Sequence, residues 1–440
     1  MTLLIKNGKV WSEGDLRDLS ILVDDNGSIS GLLSSAVDTS EFDGEVVDAE
    51  SNLVLPGGID IHAHIQDGAE TFYSGTRAAA RGGITTVLDM PPFKTTTNRE
   101  QCEARKEWAE QECVTDFGLT GGIVIDEDDL VKMDEVAQYG AGQFKVFMLS
   151  NPPVGLLWKA VKTAARTGLR LTVHMEEPAL LGKVDWDDPL GFPKANPPAA
   201  ENVAAAQMLE MARAAGAPIH VCHVSSARTA ELIDVYKAWG TDVSAETTPH
   251  YLLLDEEEFY TQGDRVVVTP ALRTKQDNET LWQAVRDGVI DVIISDHFLG
   301  ALPDPAKPRP APRDAEPGIA ALELSLPLLF SEGVRGGKIS LKRFVEITST
   351  APADLLGVDG VKGSIAVGAD ADLVLLNPDK LWKVRDLGPD SRISTLPYED
   401  WNLQGYVEAT VVRGRMVWNG KEIVADRGWG RYVPAKRSHE

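Results

Sequence analysis

The chain has 440 residues, 43% hydrophobic and 25% charged, so it can bury a sizeable core and wholesale disorder is excluded. Its formal net charge of −24 repels nucleic acids and anionic membranes, and we expect neither as a partner. The sequence shows no signal peptide, no apolar run of ~18 residues and no disulfide framework among its 3 cysteines, so we expect a cytoplasmic protein.

Both ends of the chain consist of short β-rich runs separated by turns. Near the N-terminus, "LLIKNGKVW" and "LSILVDDNGSISGLL" combine strand-forming residues with Asn-Gly and Asp-Asn-Gly turn chemistry. Near the C-terminus, "YVEATVVRGRMVWNGKEIV" shows the same pattern of strand-forming residues and turns. We therefore predict one small β domain assembled from residues 1–54 and 357–440, with a different, larger domain at residues 55–356.

The central part alternates strand-like and helix-like segments. The strand-like runs are "GGIDIHAH", "TTVLDM", "TDFGLTGGIV", "QFKVFM", "LRLTVHM", "PIHVCHVS", "DVSAETTPHYL" and "DVIISDH". Helix-like segments lie between most of them, one beginning at the N-cap candidate Asn98 and others ending at Gly216 and Gly288. Eight such units predict an α/β fold with a parallel sheet, and a TIM barrel in particular. A doubly wound open sheet is the alternative, although no GxGxxG follows the first strand to support it.

A proline-rich segment directly follows the eighth strand-like run. Residues 299–318, "LGALPDPAKPRPAPRDAEPG", contain six prolines and little apolar sequence, which argues against a regular element. A long loop at this point would lie over the mouth of the barrel. It is either a lid that contacts the substrate or a surface excursion.

Side chains able to bind metal ions fall at the ends of these runs. In a TIM barrel the carboxyl ends of the strands meet at one rim, where catalytic residues lie. The candidates are His62 and His64 after the first strand, Lys145 in the fourth, His174 in the fifth, His223 in the sixth and Asp296 in the eighth. In a β-strand, residues two apart point to the same side, so His62 and His64 could both contact the same bound group. Scattered core histidines would not select strand ends so consistently.

Lys145 lies in an apolar strand, where a free ammonium is costly to bury. Burial favours the neutral amine, and a neutral amine can take up carbon dioxide to form a carbamate. The carbamate is an anionic ligand whose two oxygens could bridge two cations. The alternative is a lysine that extends to the barrel end or pairs with an acid.

The order of these motifs resembles one known family. "GIDIHAH", "FKVFM", "VHMEE", "HVCHVSS" and "SDH", with "GTRAAARGGITTVLDMP", "ETTPHYL" and "KGSIAVGADADLVLL" between and after them, are similar to the cyclic-amide hydrolase branch of the amidohydrolase superfamily. That branch contains hydantoinases (dihydropyrimidinases), allantoinases and dihydroorotases. The resemblance covers nearly the whole chain. It implies a distorted TIM barrel, a small β-sandwich built from both termini, and a homodimer or homotetramer.

The resemblance also implies a centre of two divalent metal ions, usually zinc, with manganese or cobalt also competent. Carried over to this sequence, His62, His64 and Asp296 bind the first ion, His174 and His223 bind the second, and carboxylated Lys145 bridges both, as does a hydroxide. The hydroxide would attack the carbonyl of a cyclic amide. Asp296 would pass its proton to the leaving ring nitrogen, which gives a ureido acid.

Residues near the predicted metal centre narrow the range of cyclic amides that this protein could hydrolyse. Dihydroorotases of this family have an Arg two residues after the HxH pair, where this sequence has Gln66, and a companion Asn is also absent, so dihydroorotate ranks third. Typical D-hydantoinases have a Tyr where this sequence has Ser150, which becomes a candidate oxyanion or substrate contact. Thr269 in "VTPALR" matches a substrate-contacting segment, and Pro317 stands where hydantoinases often have Asn.

Apolar residues in the loops after strands one, two and four favour a hydantoin with a hydrophobic 5-substituent. They are Phe72, Tyr73, Phe93, Leu149, Leu156 and Trp158, of which Phe93 and Leu149 are the predicted substrate contacts. Polar allantoin suits them less well, so hydantoinase-like activity is favoured and allantoinase is the close alternative. We interpret His250 as a supporting or structural residue and His220 as packing.

Two hypotheses from other classes are weaker. A metal-free, non-catalytic scaffold would have lost metal ligands, yet all six positions are intact. A mononuclear deaminase would need no lysine in the fourth strand. A small cyclic amide therefore remains the expected substrate.

Overall fold

The structure is a computed structural model that describes residues 2–37, 40, 42–93, 95–300, 311–385, 391 and 396–436. Its strands are β1 (Leu3–Ser12), β2 (Asp15–Val23), β3 (Ile29–Ser34), β4 (Glu45–Asp48), β5 (Leu53–Pro56), β6 (Gly58–Ala63), β7 (Ile84–Asp89), β8 (Asp116–Leu119), β9 (Gly121–Ile123), β10 (Gln143–Phe147), β11 (Arg170–His174), β12 (Ile219–Val221), β13 (Val243–Thr247), β14 (Val292–Ile293), β15 (Leu373–Lys383), β16 (Asn402–Val412) and β17 (Arg415–Trp418).

The helices lie mostly between the central strands. They are α1 (Phe72–Arg81), α2 (Arg99–Glu112), α3 (Glu127–Val131), α4 (Met133–Tyr139), α5 (Val154–Thr167), α6 (Gly191–Ala195), α7 (Pro198–Ala215), α8 (Ala227–Ala238), α9 (Pro249–Leu253), α10 (Phe259–Gln262), α11 (Lys275–Asp287), α12 (Ser325–Leu328), α13 (Leu341–Val345) and α14 (Ala351–Leu355). As predicted, Asn98 caps α2 by accepting from the backbone of Gln101, and Gly216 and Gly288 end α7 and α11 in the left-handed conformation. No helix formed by the described residues has the length and apolarity needed to cross a membrane.

The strands from the two chain ends form one sheet with its own core. The order is β17-β16-β15-β5-β1-β2-β3, and β4 also pairs with β1. The first half of β1 pairs with β4 and its second half pairs with β5, with an irregularity in β1 between Ile5 and Gly8. The antiparallel pair of β5 and β15 joins the N-terminal and C-terminal parts. The inner face packs apolar residues from both parts, including Ile21, Val54 and Leu373.

All eight central runs form strands, arranged as a barrel with one break. The third run is divided at Thr120 into β8 and β9, so that β6-β7-β8 form one parallel sheet and β9 to β14 form another. The two sheets meet again at the other side, where Ala63 bridges His297 and the Asp60 carboxylate accepts from the backbone of Ser295 at 2.9 Å. The predicted fold, a distorted TIM barrel with a β-sandwich built from both chain ends, is confirmed.

The proline-rich segment is described only in part. Its residues 301–310 lie outside the described residues, so the lid hypothesis stays a prediction. Pro312–Asp314 forms a single 3-10 turn, and Pro317 and Gly318 reach the cavity described below.

A buried ion cluster joins the terminal sheet to the barrel. The Lys362 ammonium lies 2.7 Å from Asp116, 3.0 Å from Asp370 and 2.6 Å from Asp372. Asp116 begins barrel strand β8, whereas Asp372 directly precedes β15 of the terminal sheet. Burial lowers the pKa of Lys362, but the aspartates outweigh this and hold the pKa above its usual value. Lys362 therefore pairs with three carboxylates at this junction, and the Arg413 guanidinium supplies a second cation, which contacts Asp116.

Replacing Lys362 with methionine is expected to lower the free energy of unfolding by about 3–5 kcal/mol, because it leaves the buried carboxylate of Asp372 without its ion-pair partner. Urea denaturation followed by tryptophan fluorescence measures the loss. Lys9→Met is the control, since Lys9 pairs with Asp18 at 2.6 Å on the exposed face of the sheet and should change stability by less than about 1 kcal/mol. Equal effects of the two substitutions would show that the cluster adds no stability beyond a surface pair.

Candidate metal centre

Four of the predicted ligands meet where β6, β10 and β14 end. Lys145 Nζ lies 3.2 Å from His62 Nε2, and His62 Nε2 lies 3.4 Å from Asp296 Oδ1. The ligand atoms of His62, His64 and Asp296 all lie within 4.8 Å of one another. His62 and Lys145 are buried, whereas the side chains of His64 and Asp296 are 21% and 13% exposed and border the cavity. This group can surround one ion on the cavity side of His62.

The remaining two predicted ligands form a second group beside the first. His174 Nδ1 at the end of β11 lies 3.0 Å from His223 Nε2, which follows β12. The ring of His223 lies 5.6 Å from that of His62, measured between centroids. The other ring nitrogen of His174, Nε2, donates to Glu176 at 2.9 Å, which leaves the Nδ1 lone pair directed towards His223. Two ring nitrogens thus face one position next to the first group.

The backbone at two of these residues is unusual. His223 has φ of 32° and Asp296 has φ of 46°, in the left-handed region that side chains other than glycine rarely adopt. Such conformations are retained where surrounding contacts hold them, and they concentrate at functional sites. Here they occur at the points where the chain leaves β12 and β14.

A carboxylate that the sequence reasoning missed supports these ligands. Glu246 on β13 is fully buried and accepts from His62 Nδ1, and its other oxygen lies 2.9 Å from His220 Nε2. It also accepts from the backbone of His223 at 3.2 Å. Burial raises the pKa of Glu246, but His62 and His220 outweigh this and hold it well below the usual range. The only sequence signal for Glu246 is that it is a lone acid in the otherwise uncharged run "SAETT".

The neighbouring histidines differ from one another in role. The interpretation of His220 as packing is wrong, because it also hydrogen-bonds Ser244 at 2.7 Å and so links two strands through polar contacts. His250 is buried, with neither ring nitrogen hydrogen-bonded among the described residues, and burial lowers its pKa to about 4. His297 lies 3.0 Å from Glu70. His64 has its own partner, Asp67, at 3.2 Å.

The charge state of the site favours metal binding. Burial, followed by the nearby Lys145, lowers the pKa of His62, and burial lowers that of His223 still further. Both rings are therefore neutral, the form that binds metals. Burial raises the pKa of Asp296, but the surrounding histidines, His62 first, hold it below its usual range. The residues present fit two divalent ions, because imidazole and carboxylate donors without a thiolate are a set that zinc, manganese and cobalt accept.

These groups lie at the inner end of a cavity of about 440 Å³. Its walls are mainly apolar, formed by Met90, Pro91, Pro92, Phe93, Ile123, Phe147, Leu149, Val268, Phe298 and Pro317, with Thr269 and Asp67 as polar members. Four of the predicted substrate contacts, Phe93, Leu149, Thr269 and Pro317, are therefore brought together around the site. Among the described lining residues, Lys145 is the only lysine or arginine.

The predicted contact Ser150 and several other residues considered in the sequence analysis lie outside the cavity lining. Ser150 is exposed, is not among the lining residues, and donates to the carbonyl of Phe147 at 2.8 Å, so its contact with a substrate stays a prediction. Gln66 is outside the lining as well, since its side chain accepts from the backbone of Phe72 at the start of α1 at 2.8 Å. Phe72 itself packs against Trp108 and Phe117 in the core. Tyr73, Leu156 and Trp158 likewise pack on the core rather than line the cavity.

The chain is similar to known proteins over almost its whole length. The Amidohydrolase family profile matches residues 53–417. A D-phenylhydantoinase of Escherichia coli O1:K1 is 30% identical over 99% of this chain and 98% of its own length. The crystal structure of a dihydropyrimidinase from Brevibacillus agri matches with a TM-score of 0.89 and 30% identity over 99% of both chains. The L-hydantoinase (dihydropyrimidinase) of Arthrobacter aurescens matches with a TM-score of 0.87 and 28% identity over 98% of this chain and 99% of that one. The chain belongs to the amidohydrolase family.

Proposed function

We propose that this protein is a binuclear, metal-dependent hydrolase that opens a hydantoin-type cyclic amide to a ureido acid. The observation that carries the proposal is the convergence of the predicted ligands on the inner end of an apolar cavity. The hydantoinase and dihydropyrimidinase relatives, which align over almost the whole chain, support the same reaction class.

The metal ligands would fall into two sets. His62, His64 and Asp296 would hold one ion, and His174 and His223 would hold the other. We propose zinc as the native metal, with manganese or cobalt as substitutes. When bound, two such ions would provide an activated water at neutral pH and would polarise the substrate carbonyl.

Lys145 would bridge the two sets as a carbamate. Its amine is buried between His62 Nε2 and Cys222 Sγ, each 3.2 Å away, and no carboxylate is among its hydrogen-bond partners in the described part of the chain. A buried amine without an acidic partner is a poor place for a lasting positive charge. Carboxylation converts it to an anion with two oxygens, which suits a position between two cations.

Asp296 would carry the proton. Its carboxylate lies between His62 and the cavity, where it can accept a proton from the attacking water and deliver it to the ring nitrogen that leaves. Phe93, Leu149, Val268 and Pro317 would hold the ring and its substituent.

The cavity favours a neutral ring with an apolar substituent. Its described lining offers no arginine, its one lysine is the proposed carbamate, and Asp67 adds a negative charge, so the described lining gives the carboxylate of dihydroorotate no cation to pair with. Allantoin, with its polar ureido group, meets mostly apolar walls and is the second candidate. A hydantoin with an aryl or alkyl group at position 5 can pack against the apolar walls, and it contains the cyclic amide that the proposed reaction opens.

A substrate panel tests the proposal. The metal-loaded protein should turn over 5-substituted hydantoins with higher kcat/KM than allantoin, dihydrouracil or dihydroorotate, measured as release of the ureido acid. Both hands of each hydantoin belong in the panel, because relatives named for D- and L-hydantoin turnover match this chain. Chelator-stripped protein should be inactive and regain activity with zinc, manganese or cobalt. Preferred turnover of dihydroorotate, or full activity without metal, would refute the proposal.

We further propose a cytoplasmic homodimer or homotetramer. All three cysteines are buried and free, as suits a reducing compartment. Light scattering coupled to size-exclusion chromatography measures the assembly directly.

A further inference from the structure

Arg273 is a buried cation between two buried glutamates. It directly precedes the N-cap of α11 and is 3% exposed. Its Nε donates to Ser225 Oγ at 3.0 Å and its Nη1 donates to the carbonyl of Asn196. Its Nη2 lies 3.5 Å from Glu201 and 3.9 Å from Glu176. The guanidinium therefore forms ion pairs with both carboxylates, at distances too long for a hydrogen bond from Nη2.

One branch of these contacts reaches His174. Glu176 follows His174 by two residues, and its Oε2 accepts from His174 Nε2 at 2.9 Å. Its other oxygen, Oε1, is the one that faces Arg273. The carboxylate is fully buried, so its orientation depends on the groups around it. A carboxylate that fixes the far nitrogen of a histidine sets the direction of the ligating nitrogen.

A second branch reaches His223. Ser225 follows His223 by two residues and donates to Glu201 through both its hydroxyl and its backbone nitrogen, the latter at 3.1 Å. The backbone of Ser226 donates to the same carboxylate at 3.2 Å. Glu201 on α7 and Arg273 together hold the turn that leaves His223 at its left-handed φ. That turn aims the ring at His174.

The first group of ligands has separate supports. Asp60 accepts from the backbone of His62 at 3.0 Å, Asp67 contacts His64, and Glu246 contacts His62. None of these three acids is in contact with Arg273 in the described part of the chain. Glu246 also reaches the backbone of His223, but not His174.

We propose that Arg273 is a positioning residue for the second ion alone, because its one guanidinium orients both His174 and His223. This inference rests on the proposed binuclear centre. Its consequence is that a substitution of Arg273 weakens the second metal position without weakening the first.

Stepwise metal binding tests the inference. Metal-free full-length protein is titrated with zinc against a competing chelator, and bound zinc is counted by mass spectrometry. Arg273→Lys keeps the charge, but a single ammonium cannot replace the planar fork that hydrogen-bonds Ser225 and Asn196 while its third nitrogen faces Glu176. We expect the first equivalent to bind as in the wild type and the second to bind about 10–100-fold more weakly.

Arg81→Lys is the matched control, since Arg81 donates to Glu323 at 2.8 Å in another buried pair that contacts no predicted ligand. It should leave both equivalents unchanged. Glu176→Gln keeps the size of the side chain and serves if Arg273→Lys does not give a native circular dichroism spectrum; the second equivalent should again be the one that weakens.

The outcomes separate the two proposals. Two tight equivalents in both Arg273→Lys and Glu176→Gln would overturn the role of Arg273 and leave the binuclear centre standing. Equal weakening of both equivalents would also overturn it, because that is the effect of general destabilisation. Fewer than two equivalents in the wild type would overturn the binuclear centre itself, and the inference with it.

Discussion

Lys145→Ala is expected to abolish turnover of the preferred hydantoin, with a loss in kcat of more than about 10³-fold, and to reduce bound metal below two ions per chain. The reason is that the variant lacks the proposed bridge between the two sets of ligands. Losing the bridge removes several kcal/mol of transition-state stabilisation, and each ~1.4 kcal/mol is tenfold in rate. Initial rates and metal analysis of the same preparation measure the two effects together.

Two controls sharpen this result. Lys159→Ala removes an exposed lysine that pairs with Glu127 and should leave activity unchanged. Acetate or propionate added to Lys145→Ala should restore part of the activity, since the space left by the side chain admits a small carboxylate in place of the carbamate. Unimpaired turnover in the variant would contradict a bridging role for this lysine.

Asp296→Asn should lower kcat by about 10²–10⁴-fold in fully metal-loaded enzyme. The amide keeps the shape and one oxygen donor of the carboxylate, but it does not accept the proton that must pass to the leaving nitrogen. Steady-state kinetics on protein of measured metal content separates this loss from a loss of metal.

Asp67→Asn is the comparison for Asp296→Asn within the same cavity. Asp67 lines the cavity and contacts His64, but it has no proton to transfer in the proposed reaction. Its substitution should weaken metal binding, and kcat should recover when excess metal is supplied. If Asp296→Asn recovered in the same way, Asp296 would be a ligand and not the proton carrier.

Much of the architecture was predictable because strand periodicity and element ends leave local signals. Each barrel strand is a short apolar run, and the residues predicted as ligands follow from where those runs end. The break at Thr120 left no such signal, because "GLTGGI" is equally compatible with one continuous strand. The family prediction, made from motifs spread over the whole chain, is confirmed by the match to residues 53–417.

The supporting groups were not predictable, because their partners are distant in sequence. Glu246 and Arg273 look like ordinary charged residues until the barrel brings His62 and Glu176 to them. The sequence also does not show which of the apolar loop residues reach the cavity. Phe72 and Phe93 are both phenylalanines that follow a predicted strand, yet Phe72 is buried in the core and Phe93 is 49% exposed at the cavity. Their different environments follow from the course of the backbone, which the sequence pattern does not show.

The pairing of β5 with β15 has a consequence for synthesis on the ribosome. The N-terminal strands emerge first, yet the partner that completes their sheet is made only after the whole barrel has been translated. Until then β5 presents an open edge, which is a template for pairing with other nascent chains. A message truncated before β15 would therefore yield a chain that carries every predicted metal ligand and still tends to aggregate.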